Sequence, residues 1–412
     1  MALLPTGPGI LRLRQSGTAS QRITLAANGR VFGAWTAVEL ERDVADLAAT
    51  ATLELWDPLR SRRAFPRAAY TAQDWEALAC GTKVVLAIDG EDVLRGWVEA
   101  VALRVSGDQI AASVVVADDA AHLVECDASP RGPHEFRNLT VLQFAERICR
   151  PFGIGVQADV DVGAPFATIG IDVSETALSA IEKLARQRAL LVTSDGLGNV
   201  VLTRGGQTAA PAPLRLGEGL DELVFKDSWR GRFSDYYVKG QSTPQRGARL
   251  DGAANPLTSG VATPPPLQVE RAGAVMTGHS QDAEVTLYRP TVRQAKTQSG
   301  GATVQEQADW MARIARGKGQ GHILRVLDWR AGAARELWRP NTRVLVDDPF
   351  GGVLEERLIG AVVYRYAEDG ETTRLRVVRP GAYDLDPAVR ERRRDRRPGR
   401  AADGTARPLV AS

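Results

Sequence analysis

The chain has 412 residues, of which 44% are hydrophobic, 25% charged and 6% aromatic, with 40 Gly and 22 Pro. These values are typical of soluble globular proteins and exclude a collagen-like, intrinsically disordered or membrane-spanning chain. The 52 Lys and Arg against 50 Asp and Glu leave a net charge of +2, which gives no overall field to favour nucleic acid or an anionic membrane as the partner. Allowing about 150 residues per domain predicts roughly three domains.

Two local features of the composition carry predictions of their own. The segment after Ala388 holds eight Arg against three acidic residues, which predicts a solvated, disordered tail, with docking to an acidic partner or DNA as the alternative. Cys80, Cys126 and Cys149 show no C-x-x-C spacing, so neither a disulfide framework nor a zinc site is indicated, and we expect a reducing compartment. The sequence shows no secretion signal and no apolar stretch of about 18 residues.

Residues 20–118 predict a run of short β-strands. The candidate strands are 51–56, 83–88, 94–105 and 110–118. Asp89-Gly90 supplies the two-residue turn of a hairpin, and Ser106-Gly107-Asp108 marks a second turn. Short strands separated by such turns indicate a small barrel or sandwich.

The pattern changes to helices between about 120 and 205. Thr140 and Gln143 have the spacing of a capping box, which predicts a helix that ends at Pro151 and Gly153. Its predicted apolar face consists of Leu142, Ala145, Ile148 and Cys149. A second helix is predicted from Ser174 to Arg188, followed by strands at 189–193 and 199–203. These elements predict a compact α/β unit.

Strand-like sequence resumes at 222–229 and 234–241, and a loop-like segment then interrupts it. The interruption contains strand-like residues at 285–290 and a helix for which Thr303 and Glu306 predict a capping box. The predicted apolar stripe of this helix is Val304, Ala308, Met311 and Ala315. Residues 317–321, with three glycines, predict a helix stop and a linker. Further strands are predicted at 323–329, 342–348, 357–366 and 372–378.

The most informative feature is an internal repeat. Residues 81–86 match 341–346 at an offset of 260, and residues 97–101 match 359–363 at an offset of about 262. The turn Gly107-Asp108 corresponds to Gly370-Glu371, and residues 114–116 fall near 375–378. Because four matches follow one another in the same order, the sequence predicts a duplicated barrel whose second copy is split by an insert.

No catalytic motif accompanies this organisation. The sequence lacks H-E-x-x-H, G-x-S-x-G and P-loop spacings, and we interpret His134, His279 and His322 as surface or core residues. The acidic pairs Asp118-Asp119, Asp347-Asp348 and Glu355-Glu356 lie at strand ends or turns, where solvated carboxylates are common. The prediction is therefore a protein with no catalytic, cofactor-binding or metal-binding residues, no cofactor and no enzymatic activity.

Several phrases in a fixed order give the chain a family resemblance. They are DLAATATLELWDP, FAERICRPFGIGV, IEKLARQRALLVTSDGLGNVVLTR, YYVKGQ, ELWRPNTRVLVDDPFGG and LIGAVVYRYAEDGETTRLRVVRPGAY. With these phrases the chain resembles the baseplate hub proteins of Mu-like contractile phage tails over roughly residues 20–385. The Arg-rich tail and the Pro-rich segment 261–266 have no counterpart in this resemblance.

The predicted class is mainly β with an α/β domain (α+β), and the resemblance implies two similar tube barrels. The predicted units are a first barrel at 1–120, an α/β middle domain at 121–210, a second barrel at 211–245 plus 321–385, an inserted α+β domain at 246–320 and a disordered tail at 386–412.

The resemblance also implies a function and partners. It implies a homotrimeric hub that joins the sixfold tail tube, or a distal tube protein, to a trimeric membrane-piercing spike and contacts the tape-measure and baseplate wedge proteins. DNA would pass through the pore without sequence-specific binding, and the host envelope would be reached through the spike. The expected location is the virion tail baseplate, after assembly in the host cytoplasm.

The sequence leaves three alternative functions open. The first is a hub of a related injection machine, such as a secretion-system spike or a phage-like bacteriocin. The second is a tail-associated wall hydrolase, which would need a carboxylate pair. The third is DNA binding through the Arg-rich tail, with a steep dependence on salt.

Overall fold

The computed structural model describes residues 22–33, 35–57, 78–105, 110–241, 275–295 and 304–385. The predicted turn at 106–108, Thr303, the Pro-rich segment and the Arg-rich tail lie outside the described residues. In the described residues most of the regular structure is β-strand, and the prediction of a mainly β, α+β class is confirmed.

The N-terminal part is an antiparallel β-sheet. Its strands are β1 (Ile23–Ala27), β2 (Arg30–Phe32), β3 (Ala37–Asp43), β4 (Thr50–Asp57), β5 (Lys83–Ile88), β6 (Glu91–Val105) and β7 (Ile110–Asp118). Asp89 and Gly90 both adopt positive φ, at 52° and 83°, which is the geometry of a type I′ hairpin turn. The predicted hairpin between β5 and β6 is confirmed.

A compact unit of helices and short strands follows. Its elements are α1 (Ala121–Glu125), β8 (Glu135–Leu139), α2 (Val141–Cys149), β9 (Gly155–Ala158), β10 (Phe166–Gly170), α3 (Ala177–Gln187), β11 (Leu191–Ser194) and β12 (Asn199–Thr203). The Thr140 hydroxyl accepts from the Gln143 amide, and the Gln143 side chain accepts from the Thr140 amide. The predicted capping box is therefore confirmed. Helix α3 begins later than predicted because Thr176, not Ser174, caps it.

The remaining strands complete the large sheet and form the insert. They are β13 (Thr208–Ala209), β14 (Leu214–Arg215), β15 (Leu220–Asp227), β16 (Asp235–Gln241), β17 (Val275–Gln281), β18 (Pro290–Gln294), β19 (Gln320–Leu327), β20 (Arg330–Ala331), β21 (Glu336–Leu337), β22 (Thr342–Asp348), β23 (Val353–Ala367) and β24 (Gly370–Val378). The helix α4 (Val304–Gly319) lies between β18 and β19, and a 3₁₀ turn spans Pro380–Tyr383.

The predicted duplication is visible in the strand order. The first repeat, as we call it, runs β3-β4-β7-β6-β5, and the second repeat runs β15-β19-β24-β23-β22. Long strands β6 and β23 carry a register shift at the same place, between Val98 and Ala100 and between Ile359 and Ala361. A shared bulge in two equivalent strands supports a common origin of the two repeats, because a bulge is an inserted residue that fixes local register.

The insert interrupts the second repeat between β15 and β19, where the first repeat has only the short connection from β3 to β4. β16 pairs with β17 and β18 in a separate three-stranded sheet. The predicted boundary of the insert therefore differs from the strand pairing: the prediction places 235–241 in the second barrel, whereas β16 pairs with strands of the insert. Residues 285–290 were predicted as strand-like, but β18 begins only at Pro290.

The segment 317–321 is not a linker. Helix α4 continues through Gly319, and β19 begins at Gln320 without an intervening loop. A Cβ on Gly317 would lie 2.7 Å from the Ala382 nitrogen, so this glycine allows the helix to pack against the 3₁₀ turn. The buried stripe of α4 is also displaced from the prediction: Ala308 and Ala312 are buried, whereas Met311 and Ala315 are half-buried.

The two repeats share one hydrophobic core, which contains residues such as Leu25, Leu53, Leu324 and Ile359. A second core fills the middle unit around Phe144 and Ile181. Among the described residues the strand pairing of the large sheet follows an open path from β15 to β2, with a branch at β22. Closure of each repeat into a barrel therefore stays a prediction.

Candidate assembly interface

The carboxylates and histidines considered from the sequence do not converge on one site. Asp118 is fully buried and accepts hydrogen bonds from the Ala120 amide and the Ser194 hydroxyl, while its neighbour Asp119 pairs with Lys83. Burial raises the pKa of Asp118. The two carboxylates thus serve different local contacts.

The other two acidic pairs have structural partners as well. Asp348 accepts hydrogen bonds from the Phe350 and Gly351 amides at 3.0 and 2.9 Å, which closes the turn between β22 and β23. Glu355 forms an ion pair of 2.6 Å with Arg357, and Glu356 lies 4.0 Å from Arg343. Each of these carboxylates is therefore used in a turn or beside an arginine on the sheet.

The histidines are also dispersed. His322 is buried and its Nε2 lies 3.2 Å from Asp348, whereas His279 is exposed and stacks on Tyr237.

Burial raises the pKa of Cys149 to about 12. In the described part of the chain, no group of three or more His, Cys, Asp or Glu side chains could hold a metal ion.

The functional feature that the structure does build is a junction between the two repeats. β3 of the first repeat pairs antiparallel with β23 of the second, with Leu40 opposite Tyr364 and Arg42 opposite Val362. Leu40 and Tyr364 are both buried. The two repeats thereby form one continuous sheet.

Charged side chains add further contacts between the two repeats. Asp43 forms an ion pair with Arg376. At the β5–β6 turn, Asp89 forms ion pairs with Arg22 at 2.5 Å and with Arg330 at 3.2 Å. Arg330 forms a second ion pair with Glu91 at 2.9 Å. The hydrogen bond from Arg22 lowers the pKa of Asp89 against the opposing effect of burial, so the carboxylate is held in its charged form.

The middle unit is anchored beside the same junction. Arg42 donates to the Asp195 carbonyl at 2.7 Å, and the Arg95 amide donates to the Gly196 carbonyl at 2.7 Å. These contacts border a polar cleft of about 250 Å³, lined among others by Arg42, Gln157 and Asn341. Its walls come from the two repeats and the middle unit, so it is a consequence of their packing.

Two strand edges, one in each repeat, are equivalent in position to the edges that pair in this junction. Neither has a partner strand among the described residues. Among the described residues, β15 ends the strand order of the large sheet, and β5 pairs with β6 only from Glu91 to Trp97. Residues 100–105 of β6 are thus free on that side in the described chain. Nothing in the sequence pattern predicts this junction, because strand patterns do not specify which two strand edges pair.

No helix in the described ranges is long and apolar enough for a membrane crossing.

The described residues build two equivalent repeats of antiparallel strands that join edge to edge. Comparisons with known proteins match two segments of the chain to families of baseplate proteins. Residues 120–204 match the family model "Baseplate hub protein gp44-like, second domain". Residues 300–386 match the model "Mu phage baseplate assembly protein GpP, fourth domain".

Similarity extends over most of the chain in three other proteins. The chain is 29% identical over 361 residues to the baseplate hub protein gp44 of Escherichia phage Mu, covering 87% of each chain. The 43 kDa tail protein of prophage MuSo2 from Shewanella oneidensis is 28% identical, with a TM-score of 0.72 over 88% of this chain and 99% of that one. A tail protein from Neisseria meningitidis MC58, at 19% identity, shares the fold with a TM-score of 0.67 over 89% and 98% of the two chains.

The chain is therefore a relative of the Mu-like phage baseplate hub proteins, as the resemblance in its sequence indicated. The phage Mu relative and both family models are baseplate proteins, and the two solved structures are tail proteins; these matches confirm the prediction that the chain is not an enzyme.

Proposed function

We propose that this hub protein is a homotrimer that forms a ring of six similar units. The observation that carries the proposal is the edge-to-edge junction of the two repeats in one sheet. Three chains with two repeats each supply six units, and cyclic symmetry closes such heterologous junctions into a ring. In this ring each repeat closes into a barrel of the tail tube.

The ring matches two symmetries at once. Its six similar repeats fit the end of a sixfold tail tube, while its exact symmetry stays threefold and fits a trimeric membrane-piercing spike. The chain thereby joins tube to spike in the baseplate of the virion and contacts the tape-measure and wedge proteins there. On contraction the hub moves with the tube towards the host envelope, and DNA leaves through the central pore without sequence-specific contacts. Synthesis and assembly take place in the host cytoplasm.

Absolute mass in solution tests this proposal. Light scattering of the full chain at several concentrations, alone and with the co-encoded spike candidate, should give about 133 kDa for three chains of 44.4 kDa. Negative-stain images of the same sample should show six lobes around a hole. A monomer under every condition, with or without the spike, would refute the adaptor function.

A further inference from the structure

The junction inside one chain provides a template for the junction between chains. In that template β23 contributes Ala361–Tyr366 and β3 contributes Val38–Asp43, in antiparallel register. Leu40 is 1% exposed and Tyr364, directly opposite, is 2% exposed. Both side chains lie in the core that the two repeats share, where the Tyr364 hydroxyl donates to the Trp338 carbonyl.

The shared bulge fixes which residues of the two repeats correspond. Immediately after it, Ala100 pairs with Val115 in the first repeat, and Ala361 pairs with Arg376 in the second. One residue further along, Val101 pairs with Val114 and Val362 pairs with Leu375. Val101 therefore corresponds to Val362. Two residues on, Leu103 corresponds to Tyr364.

The same reasoning places β15 at the position of β3. Leu53 of β4 pairs with Val114, and Leu324 of β19 pairs with Leu375, so Leu53 corresponds to Leu324. Leu53 also pairs with Val38, and Leu324 also pairs with Leu223. Val38 thus corresponds to Leu223, and two residues on, Leu40 corresponds to Phe225.

The two counterparts of the buried pair are both exposed in the single chain. Leu103 is 49% exposed although Tyr364 is buried, and Phe225 is 40% exposed although Leu40 is buried. Both lie on the side of the sheet that faces the core, since their neighbours Val101 and Leu223 pack against it. In soluble proteins, an exposed strand edge that carries large apolar side chains usually pairs with a strand of another chain.

We propose that β15 of one chain pairs antiparallel with residues 100–105 of β6 in the next chain, with Phe225 opposite Leu103. This inference rests on the proposed trimer and names its contact. Each chain then presents one edge to each neighbour, so three such junctions alternate with three junctions inside chains. The occupant of the free edge of β15 is a second copy of this chain.

Disulfide cross-linking tests the register. In a Cys80→Ser background, which removes the exposed native thiol, the variant with Leu103→Cys and Phe225→Cys should form covalent dimers and trimers on oxidation, seen on a non-reducing gel. Directly opposite residues have Cβ atoms close enough for such a bond. The matched control pairs Leu103→Cys with Val224→Cys. Because neighbouring residues on a strand face opposite sides, it should cross-link far less.

A charge at the junction gives an independent readout. Phe225→Asp should lower the mass from about 133 kDa to that of one chain, 44.4 kDa, with an unchanged circular dichroism spectrum. Leu287→Asp changes an apolar residue of the insert that is more exposed than Phe225, 59% against 40%, and should leave the mass unaltered.

The outcomes separate this inference from the proposed function. A Cys80→Ser parent that is monomeric both with and without the spike candidate refutes both. A trimeric parent in which the 103–225 pair fails to cross-link, or links no better than the 103–224 pair, refutes the strand junction alone. A Phe225→Asp variant that stays folded and trimeric refutes it as well.

Discussion

His322 and Asp348 form a buried histidine–carboxylate pair without catalytic surroundings. The side chains around His322 include Phe225, whose ring lies 5.2 Å away, and the charged residues Arg357 and Glu355. Burial lowers the pKa of His322 below its ordinary value of about 6.5, despite the nearby Asp348. The histidine is consequently neutral in the folded chain and contributes to the interior of the second repeat.

This lowered pKa predicts a loss of stability in mild acid. Below about pH 6.5 the unfolded chain binds a proton at this histidine that the folded chain does not, so stability is complete above pH 6.5 and falls as the pH decreases. The loss reaches at most about 1.4 kcal/mol per pH unit. His322→Gln should flatten the change in unfolding free energy between pH 7.5 and 5.5, measured in urea at one protein concentration.

The control for this experiment is His134→Gln, at an exposed histidine of the middle unit. It should keep the wild-type pH dependence. An identical slope in wild type and His322→Gln would contradict the assignment of the acid sensitivity to His322.

At the scale of elements, sequence predicts what is local. The capping box at Thr140 and the turn at Asp89-Gly90 were predictable because each depends on a few adjacent residues. The pairing of β16 was not, since a strand pattern does not say which sheet the strand joins. The glycines at 317–321 were misinterpreted for a related reason. Their role is close contact with Ala382 and Arg232, which are remote in sequence.

A substitution at Gly317 tests whether close packing against the 3₁₀ turn stabilises helix α4. In Gly317→Ala the new Cβ meets the backbone of Ala382 at 2.7 Å, and a rigid 3₁₀ turn cannot move aside as a side chain would. We expect a loss of about 1–3 kcal/mol in unfolding free energy, as for other overpacked sites, measured by urea denaturation. Lys318→Ala, at the exposed neighbour, should have little effect. Equal stability of Gly317→Ala and wild type would contradict the packing role.

At the scale of the whole molecule, the two kinds of junction differ in chemistry. The junction inside the chain carries the ion pair between Asp43 and Arg376. By the correspondence of the repeats, the equivalent residues between chains are Ser228 and Val115, which cannot form it. The proposed contact between chains is therefore held by backbone hydrogen bonds and by the apolar pair of Phe225 and Leu103.

That difference predicts a trimer that resists salt. At 1 M NaCl the screening length falls to about 3 Å, which weakens exposed ion pairs, whereas burial of apolar side chains does not depend on such charges. Light scattering at 0.05 and 1 M NaCl should therefore give the same mass, about 133 kDa, at equal protein concentration. Dissociation at high salt would mean that charged side chains hold the chains together, and the apolar strand junction would then be wrong even though the hub is trimeric at low salt.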